Sequence, residues 1–220
     1  MMYDIIRAAY PAANDTNFEL FYSEETGYVL TRWELSVSQP DLAELLKTLA
    51  SADCAYYTWL KKQAANDIET LILAWENEIV PQEKRIIYER KESLADNWSA
   101  AGDDQKLLAQ KEFEGYQKVM AVTGAGYVTL QIFDTIPVKV ATLDNLLAVY
   151  RTNAKALRVV LATAEQWRTM YPRLIEAIPI EIDTDAGNGV TALEHKIEAL
   201  KAEVQSHIAG VPALVAKLLG

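Results

Sequence analysis

Two spacings of apolar residues alternate along the chain, and the elements follow from them. Tyr3, Ile6 and Tyr10 stand at helical intervals with Ile5 and Ala9 beside them, which predicts a short helix stopped by Pro11. Phe18 to Tyr22 is aromatic-rich and strand-like, Ser23 to Gly27 supplies a turn, and Tyr28 to Val37 predicts a second strand. Strict alternation sets Tyr28, Leu30, Arg32 and Glu34 on one face and Val29, Thr31, Trp33 and Leu35 on the other. This opening stretch reads as a hairpin with a helix laid across it, the cover that two strands need in water.

After it the helical period dominates. Ser38 or Asp41 can cap the next helix, with Pro40 in its first turn and a stripe of Leu42, Leu45, Leu46 and Leu49. The helix runs on through Tyr56, Trp59 and Leu60, either unbroken or with a break near Ser51. Ile68, Leu71, Ile72, Trp75 and Ile79 then hold one face. Pro81 kinks or restarts the helix. Ile87, Leu94 and Trp98 continue an inward face up to Ala101-Gly102, where glycine suits a helix end. Asp103 and Asp104 open a further helix with an inward face of Ala109, Phe113, Tyr116 and Met120.

Thr123 to Gly126 ends that run. Val128, Leu130 and Ile132 alternate with polar positions, Asp134 to Pro137 turns, and Val138 to Val140 returns, which predicts a second hairpin. Thr142 caps a helix from Leu143 to about Met170 with the stripe Leu143, Leu147, Tyr150, Ala154, Leu157, Leu161 and Ala164, and Pro172 limits it. Ile178, Ile180 and Ile182 alternate like a short strand, and Asp183 to Gly189 is a loop. The last helix starts at Thr191, with Glu194 completing a capping box, and runs to Ile208 before Gly210-Val211-Pro212 interrupts it. The fold class is α+β, mostly helical. The chain divides in order into a helix-and-hairpin module (1–40), a helical body (41–122), a hairpin, long helix and loop (123–190), and a C-terminal amphipathic helix and tail (191–220).

Composition narrows the function classes. With 220 residues, half of them hydrophobic, the chain can bury one good-sized core or two small ones. A net charge of −10 leaves no basic footprint for nucleic acid. Lys84-Arg85 and Arg90-Lys91 stand among Glu83, Glu89 and Glu92, which reads as a solvated, salt-bridged face. The single Cys54 excludes an internal disulfide, and its apolar neighbours make it a core residue rather than a nucleophile. There is no signal-peptide pattern and no apolar run of the ~20 residues that cross a bilayer, so a soluble chain made in the cytoplasm, without a membrane partner, is expected.

Candidate chemistry is sparse. Counting Asp183 as position 1 of a calcium loop puts Asp185 at position 3 and Glu194 at position 12, the oxygen ligands such a loop uses. Gly187 then offers no side-chain oxygen at position 5, and Asn188 stands where glycine should make the turn. A plain loop is the simpler reading, and no other metal or cofactor site is expected. Gly124-Ala125-Gly126 follows a helix and precedes a strand, the reverse of a phosphate loop. His195 and His207 share no ligand spacing, no nucleophile motif occurs, and the five tryptophans read as core. An enzyme is not expected. Leu193, Ile197, Leu200, Val204 and His207 form a stripe at four- and three-residue steps, continued on paper by Val211, Leu214 and Leu218. It serves either packing within the chain or self-association, and in the second case His207 would make association pH-sensitive.

One resemblance supplies a setting. Tyr3, Asp4, Ile6, Tyr10-Pro11, Phe18, Leu20, Gly27-Tyr28, Trp33, Leu35, Pro40, Glu44 and Leu45 follow the pattern of an N-terminal domain of phage tail proteins. Over this opening fifth, the chain resembles the XkdW type. The resemblance carries no catalytic residues. It implies a structural component of a bacteriophage tail (baseplate, tail fibre or fibre attachment), located in the virion tail after synthesis in the host cytoplasm. The implied partners are other tail proteins and copies of itself. The alternative is a tail-fibre assembly chaperone absent from the mature virion.

Overall fold

The hydrophobic repeats close into seven helices and two antiparallel hairpins among the described residues, a mostly helical α+β fold. The computed structural model of the chain describes residues 1–133, 136–183 and 185–219, without the side chains of Leu218 and Leu219. In order, the elements are α1 Met2–Ala9, β1 Phe18–Ser23, β2 Gly27–Trp33, α2 Leu42–Thr48, α3 Ala55–Ile79, α4 Gln82–Asp96, α5 Asp103–Thr123, β3 Val128–Ile132, β4 Ile136–Val140, α6 Leu143–Glu176 and α7 Val190–Leu219.

The chain forms two compact units, Met1–Glu69 with Met170–Glu203, and Thr70–Thr169 with the chain from Val204 on. The four consecutive segments 1–40, 41–122, 123–190 and 191–220 do not coincide with them. Of the long helices, α3, α6 and α7 each contribute residues to both units.

In the first unit, α1 buries Met2, Ile5 and Ile6. Met2 and Ile6 form a small core with Ala13 and Phe18, against which Tyr3, Tyr10, Leu20, Leu30, Trp33, Leu35, Leu42 and Leu45 pack. Leu30 and Trp33 therefore share the core, although strict alternation separates them. The cause is a bulge: Glu19 pairs with Arg32 and Leu20 with Leu30, so Thr31 has no partner and the side-chain alternation resets. Gly27 closes the turn at φ 68, a left-handed position that suits a glycine. β2 ends at Trp33 rather than Val37, and the Trp33 indole N–H donates to the Val37 carbonyl at 2.8 Å. Asp41, not Ser38, caps α2, accepting from the amides of Ala43 and Glu44 at 2.8 and 3.3 Å. Leu46 of the predicted stripe is exposed.

Pro172 does not end α6. A proline inside a helix removes one hydrogen bond and crowds the preceding turn, at ~3 kcal/mol. Burial of Tyr171 and Ile175 on either side carries the helix across it to Glu176. Beyond that end, the Lys61 ammonium donates to the carbonyls of Glu176 and Ile178 at 2.9 and 2.6 Å, placing a cation at the negative end of the helix dipole. Ile178, Ile180 and Ile182 form no strand. The segment has no partner to ladder with, and only the single bridge Asp183–Asn188 follows it. α7 starts at Val190, with the Asn188 side chain accepting from the Val190 amide at 3.0 Å. Thr191 thus lies inside the first turn rather than at the cap.

In the second unit, Pro81 restarts the helix as expected, but α4 ends at Asp96, and Gly102 (φ −67, ψ 157) is the N-cap of α5. Ile87, expected inside, is exposed. The face of α4 that packs carries Arg85, Lys91, Glu92 and Ala95. Arg85 pairs with Glu76 at 2.8 Å, Lys91 with Glu112 at 2.9 Å and Glu92 with Arg158 at 2.6 Å. These pairs carry charges of α4 to fixed partners on α3, α5 and α6. Within the charged row, Arg85, Lys91 and Glu92 are half-buried in these salt bridges, whereas Glu83, Glu89 and Arg90 are exposed.

The second hairpin has the predicted inward residues, Val128, Leu130 and Ile132, opposite Val140, Val138 and Ile136. Pro137 belongs to β4 rather than the turn, and residues 134 and 135 of that turn lie outside the described residues. Phe133 has φ 51, and its amide donates to the buried Asn153 side chain at 3.3 Å. Thr142 caps α6 reciprocally: its hydroxyl accepts from the Asn145 amide, and the Asn145 side chain accepts from the Thr142 amide, both at 3.2 Å. Pro212 also stays within its helix, where Val211 and Val215 are buried.

Candidate functional site

The calcium residues are spent on local structure. The Asp183 carboxylate accepts from the amides of Asp185 and Ala186 at 2.7 and 3.1 Å, closing a turn around itself. Those two bonds hold its carboxyl below the ordinary carboxylate range. Gly187 is left-handed at φ 65, Asp185 is exposed, and Glu194 is exposed just past the first turn of α7. Among the described residues, no three His, Cys, Asp or Glu side chains come together as metal ligands.

The α7 stripe is spent as well. Leu193, Ile197 and Val204 are buried by the chain itself and Leu200 is half-buried, so that face is not open to a second copy. His207 is exposed and stacks on Trp167, with ring centroids 5.8 Å apart. The Leu218 side chain lies outside those described. No helix among the described residues is long and apolar enough to cross a membrane.

The most concentrated polar cluster surrounds Glu112 on α5. One carboxylate oxygen accepts from the Lys91 ammonium at 3.2 Å and the Tyr116 hydroxyl at 3.1 Å. The other accepts from Lys91 at 2.9 Å and the Tyr150 hydroxyl at 2.7 Å. The Lys91 ammonium also lies over the Tyr150 ring, 4.6 Å from its centroid. Burial alone would raise the Glu112 carboxyl, but the bonds from Lys91, Tyr150 and Tyr116 outweigh it and hold the group below its ordinary range. Burial and the adjacent carboxylate push the Tyr116 phenol up to about 12, and the same causes raise Tyr150. A cleft of about 630 Å³ opens beside the cluster, lined by Arg90, Leu94, Asn97, Gln105 and Leu108 among others.

A carboxylate with three donor groups on it is a poor general base, and phenols held protonated are poor nucleophiles. The cluster ties α4, α5 and α6 together. Because the folded pKa of Glu112 is depressed, its contribution to stability is complete above the unfolded value near 4.5 and is lost as pH falls through the lower folded value. Urea midpoints measured down the acid range will fall less steeply for Glu112→Gln than for the parent chain, the two curves converging at low pH. Parallel curves would mean that Glu112 does not titrate as the geometry requires.

The surface feature of the first unit lies on its hairpin. Phe21 and Tyr22 are 57% and 58% exposed, and Tyr28 and Val29 opposite them are also exposed. The Tyr22 and Tyr28 rings lie 4.8 Å apart. The hairpin thus keeps two exposed apolar pairs, Phe21 with Val29 on one face and Tyr22 with Tyr28 on the other, outside the small core that it shares with α1, Leu42 and Leu45, the arrangement of a contact surface.

Sequence reasoning missed Glu112, Glu76, Tyr57 and Asn153. Two of them carried a local signal: Glu76 interrupts the apolar run beside Trp75, and Glu112 lies between Ala109 and Phe113 on an inward face. Nothing near Tyr57 or Asn153 in the sequence marks them. No protein-family model, no curated protein and no solved structure matches this chain.

Proposed function

We propose that this chain is a structural protein of a bacteriophage tail, at the baseplate, tail fibre or fibre attachment, working through assembly with other tail proteins rather than through catalysis. The observation that carries this reading is the exposed apolar hairpin, Phe21 with Val29 on one face and Tyr22 with Tyr28 on the other, held outside the small core. The resemblance of that module to the XkdW type supplies the setting. Its motif residues Phe18, Leu20, Trp33, Leu35 and Leu45 are among those that build the small core. The second unit suits a scaffold, since Glu76 and Glu112 are saturated by their donors.

Mass spectrometry of purified particles of the phage that encodes the chain tests this. Peptides of the chain are expected at a constant ratio to the other tail proteins. Absence from particles and tail precursors, with the chain present in infected cells, would overturn the structural role. Recovery only with unassembled fibre protein would replace it with that of an assembly chaperone.

A further inference from the structure

The hairpin carries more than its exposed apolar pairs, because its hydrogen-bond phase can be read. The Leu20 amide donates to the Tyr3 hydroxyl at 3.2 Å, so it points away from β2. Leu20 pairs with Leu30, and that pair therefore does not exchange backbone bonds. Antiparallel pairs alternate between bonded and non-bonded, so Phe21–Val29 is bonded and Tyr22–Tyr28 is not. Tyr28 and Leu30 consequently turn their amides and carbonyls to the outer edge of β2. The sheet has two strands, so no further described strand covers that edge. The outer edge of β1, by contrast, is blocked at Leu20 by Tyr3.

We propose that the free edge of β2 takes an extended strand from another protein chain, one that alternates apolar and basic side chains. The mode is strand addition, in which backbone bonds give affinity and alternate side chains give specificity. The apolar positions of the guest would lie on one face, beside the exposed Val29 and Phe21. Its basic positions answer the charge of the hairpin, where Glu19, Glu24, Glu25 and Glu34 are exposed against the single Arg32. A second copy fits less well, since antiparallel pairing of two β2 edges brings Glu24 and Glu25 of one hairpin beside Glu34 of the other. This inference rests on reading the module as the docking element.

The test uses the full isotope-labelled chain and a synthetic peptide of alternating lysine and valine. Amide exchange of Tyr28 and Leu30 is expected to slow about tenfold when the peptide saturates, while the already bonded Val29 changes little. Tyr28→Pro removes the outward-facing donor together with the Tyr28 ring, a change that an edge strand tolerates, and should abolish binding with the fold retained, whereas Tyr28→Ala, which keeps the donor, should weaken it less. Glu24→Lys/Glu25→Lys lies in the exposed turn and should weaken binding about tenfold. The proposal is overturned if an alternating glutamate and valine peptide binds as well. It is equally overturned if Tyr28→Pro and Glu24→Lys/Glu25→Lys both bind normally, or if Tyr28 and Leu30 become protected with rising chain concentration and no peptide, which would mean self-pairing. These outcomes are separate from the particle test: a chain found in virions whose β2 edge ignores the peptide keeps its function and loses this mode of docking.

Discussion

Replacing Tyr57 with phenylalanine will lower the unfolding free energy by about 3 kcal/mol, although the ring and its packing remain. The side chain is 1% exposed. Its hydroxyl donates to the Leu49 carbonyl at 2.5 Å and accepts from the Gly189 amide at 2.7 Å. It thereby ties the end of α2 to the loop before α7. Without the hydroxyl, a carbonyl and an amide are left buried and unpaired, each costing roughly 1–3 kcal/mol. The backbone around Gly189 has little room to relax, since a Cβ there would meet the Glu181 carbonyl oxygen at 2.7 Å. Urea denaturation of Tyr57→Phe should show a lower midpoint with an unchanged slope. A loss under about 0.5 kcal/mol would mean that water reaches both groups, and the tie would not be what holds this loop.

The second large effect is expected at Glu76, in the other unit. Its carboxylate accepts from Arg85 at 2.8 Å and from Arg168 at 2.7 Å, with its side chain 7% exposed. Arg85 also donates to the Val80 carbonyl at 2.9 Å, and Arg168 to Glu165 at 2.9 Å. Glu76→Ala removes the anion that the two guanidinium groups share, leaving Arg168 with Glu165 alone. Breaking a buried pair in this way costs about 3–5 kcal/mol, and the partial exposure of both arginines places this case near the lower end. Glu76→Gln keeps the shape and one acceptor and should lose about half as much. Raising the salt to ~1 M, which screens surface pairs, should leave the difference between parent and Glu76→Ala nearly unchanged. A difference that collapses in salt would show the cluster to be solvated.

Where local sequence and structure part, the physical reasons are specific. Pro172 and Pro212 read as helix ends because proline propensity is a local quantity. Burial of Tyr171 and Ile175, and of Val211 and Val215, outweighs it. Ile87 reads as inward by its apolar character, yet it is exposed, because α4 packs through Leu94 and Ala95 together with Arg85, Lys91 and Glu92, whose partners stand on α3, α5 and α6. The face of Trp33 depends on one unpaired residue, Thr31, and period-two counting cannot see a bulge. The candidate surface was half legible. The aromatic hairpin of Phe21, Tyr22 and Tyr28 stands in the sequence, but which of its residues stay outside the core, and which backbone groups face outward, follows from the register.

By itself the sequence determined what is settled within a turn or two of chain. Gly27 and Gly124 take the left-handed conformation, Asp41 and Thr142 cap their helices, and Val128, Leu130 and Ile132 line one face. Tertiary structure alone decided which polar groups are buried and what satisfies them. Tyr150 meets Glu112 across 38 residues, and Tyr57 meets Gly189 across 132. A backbone angle or a cap depends on neighbours that the chain itself supplies. A buried carboxylate or hydroxyl is tolerated only where distant donors and acceptors converge on it, and local pattern holds no record of them.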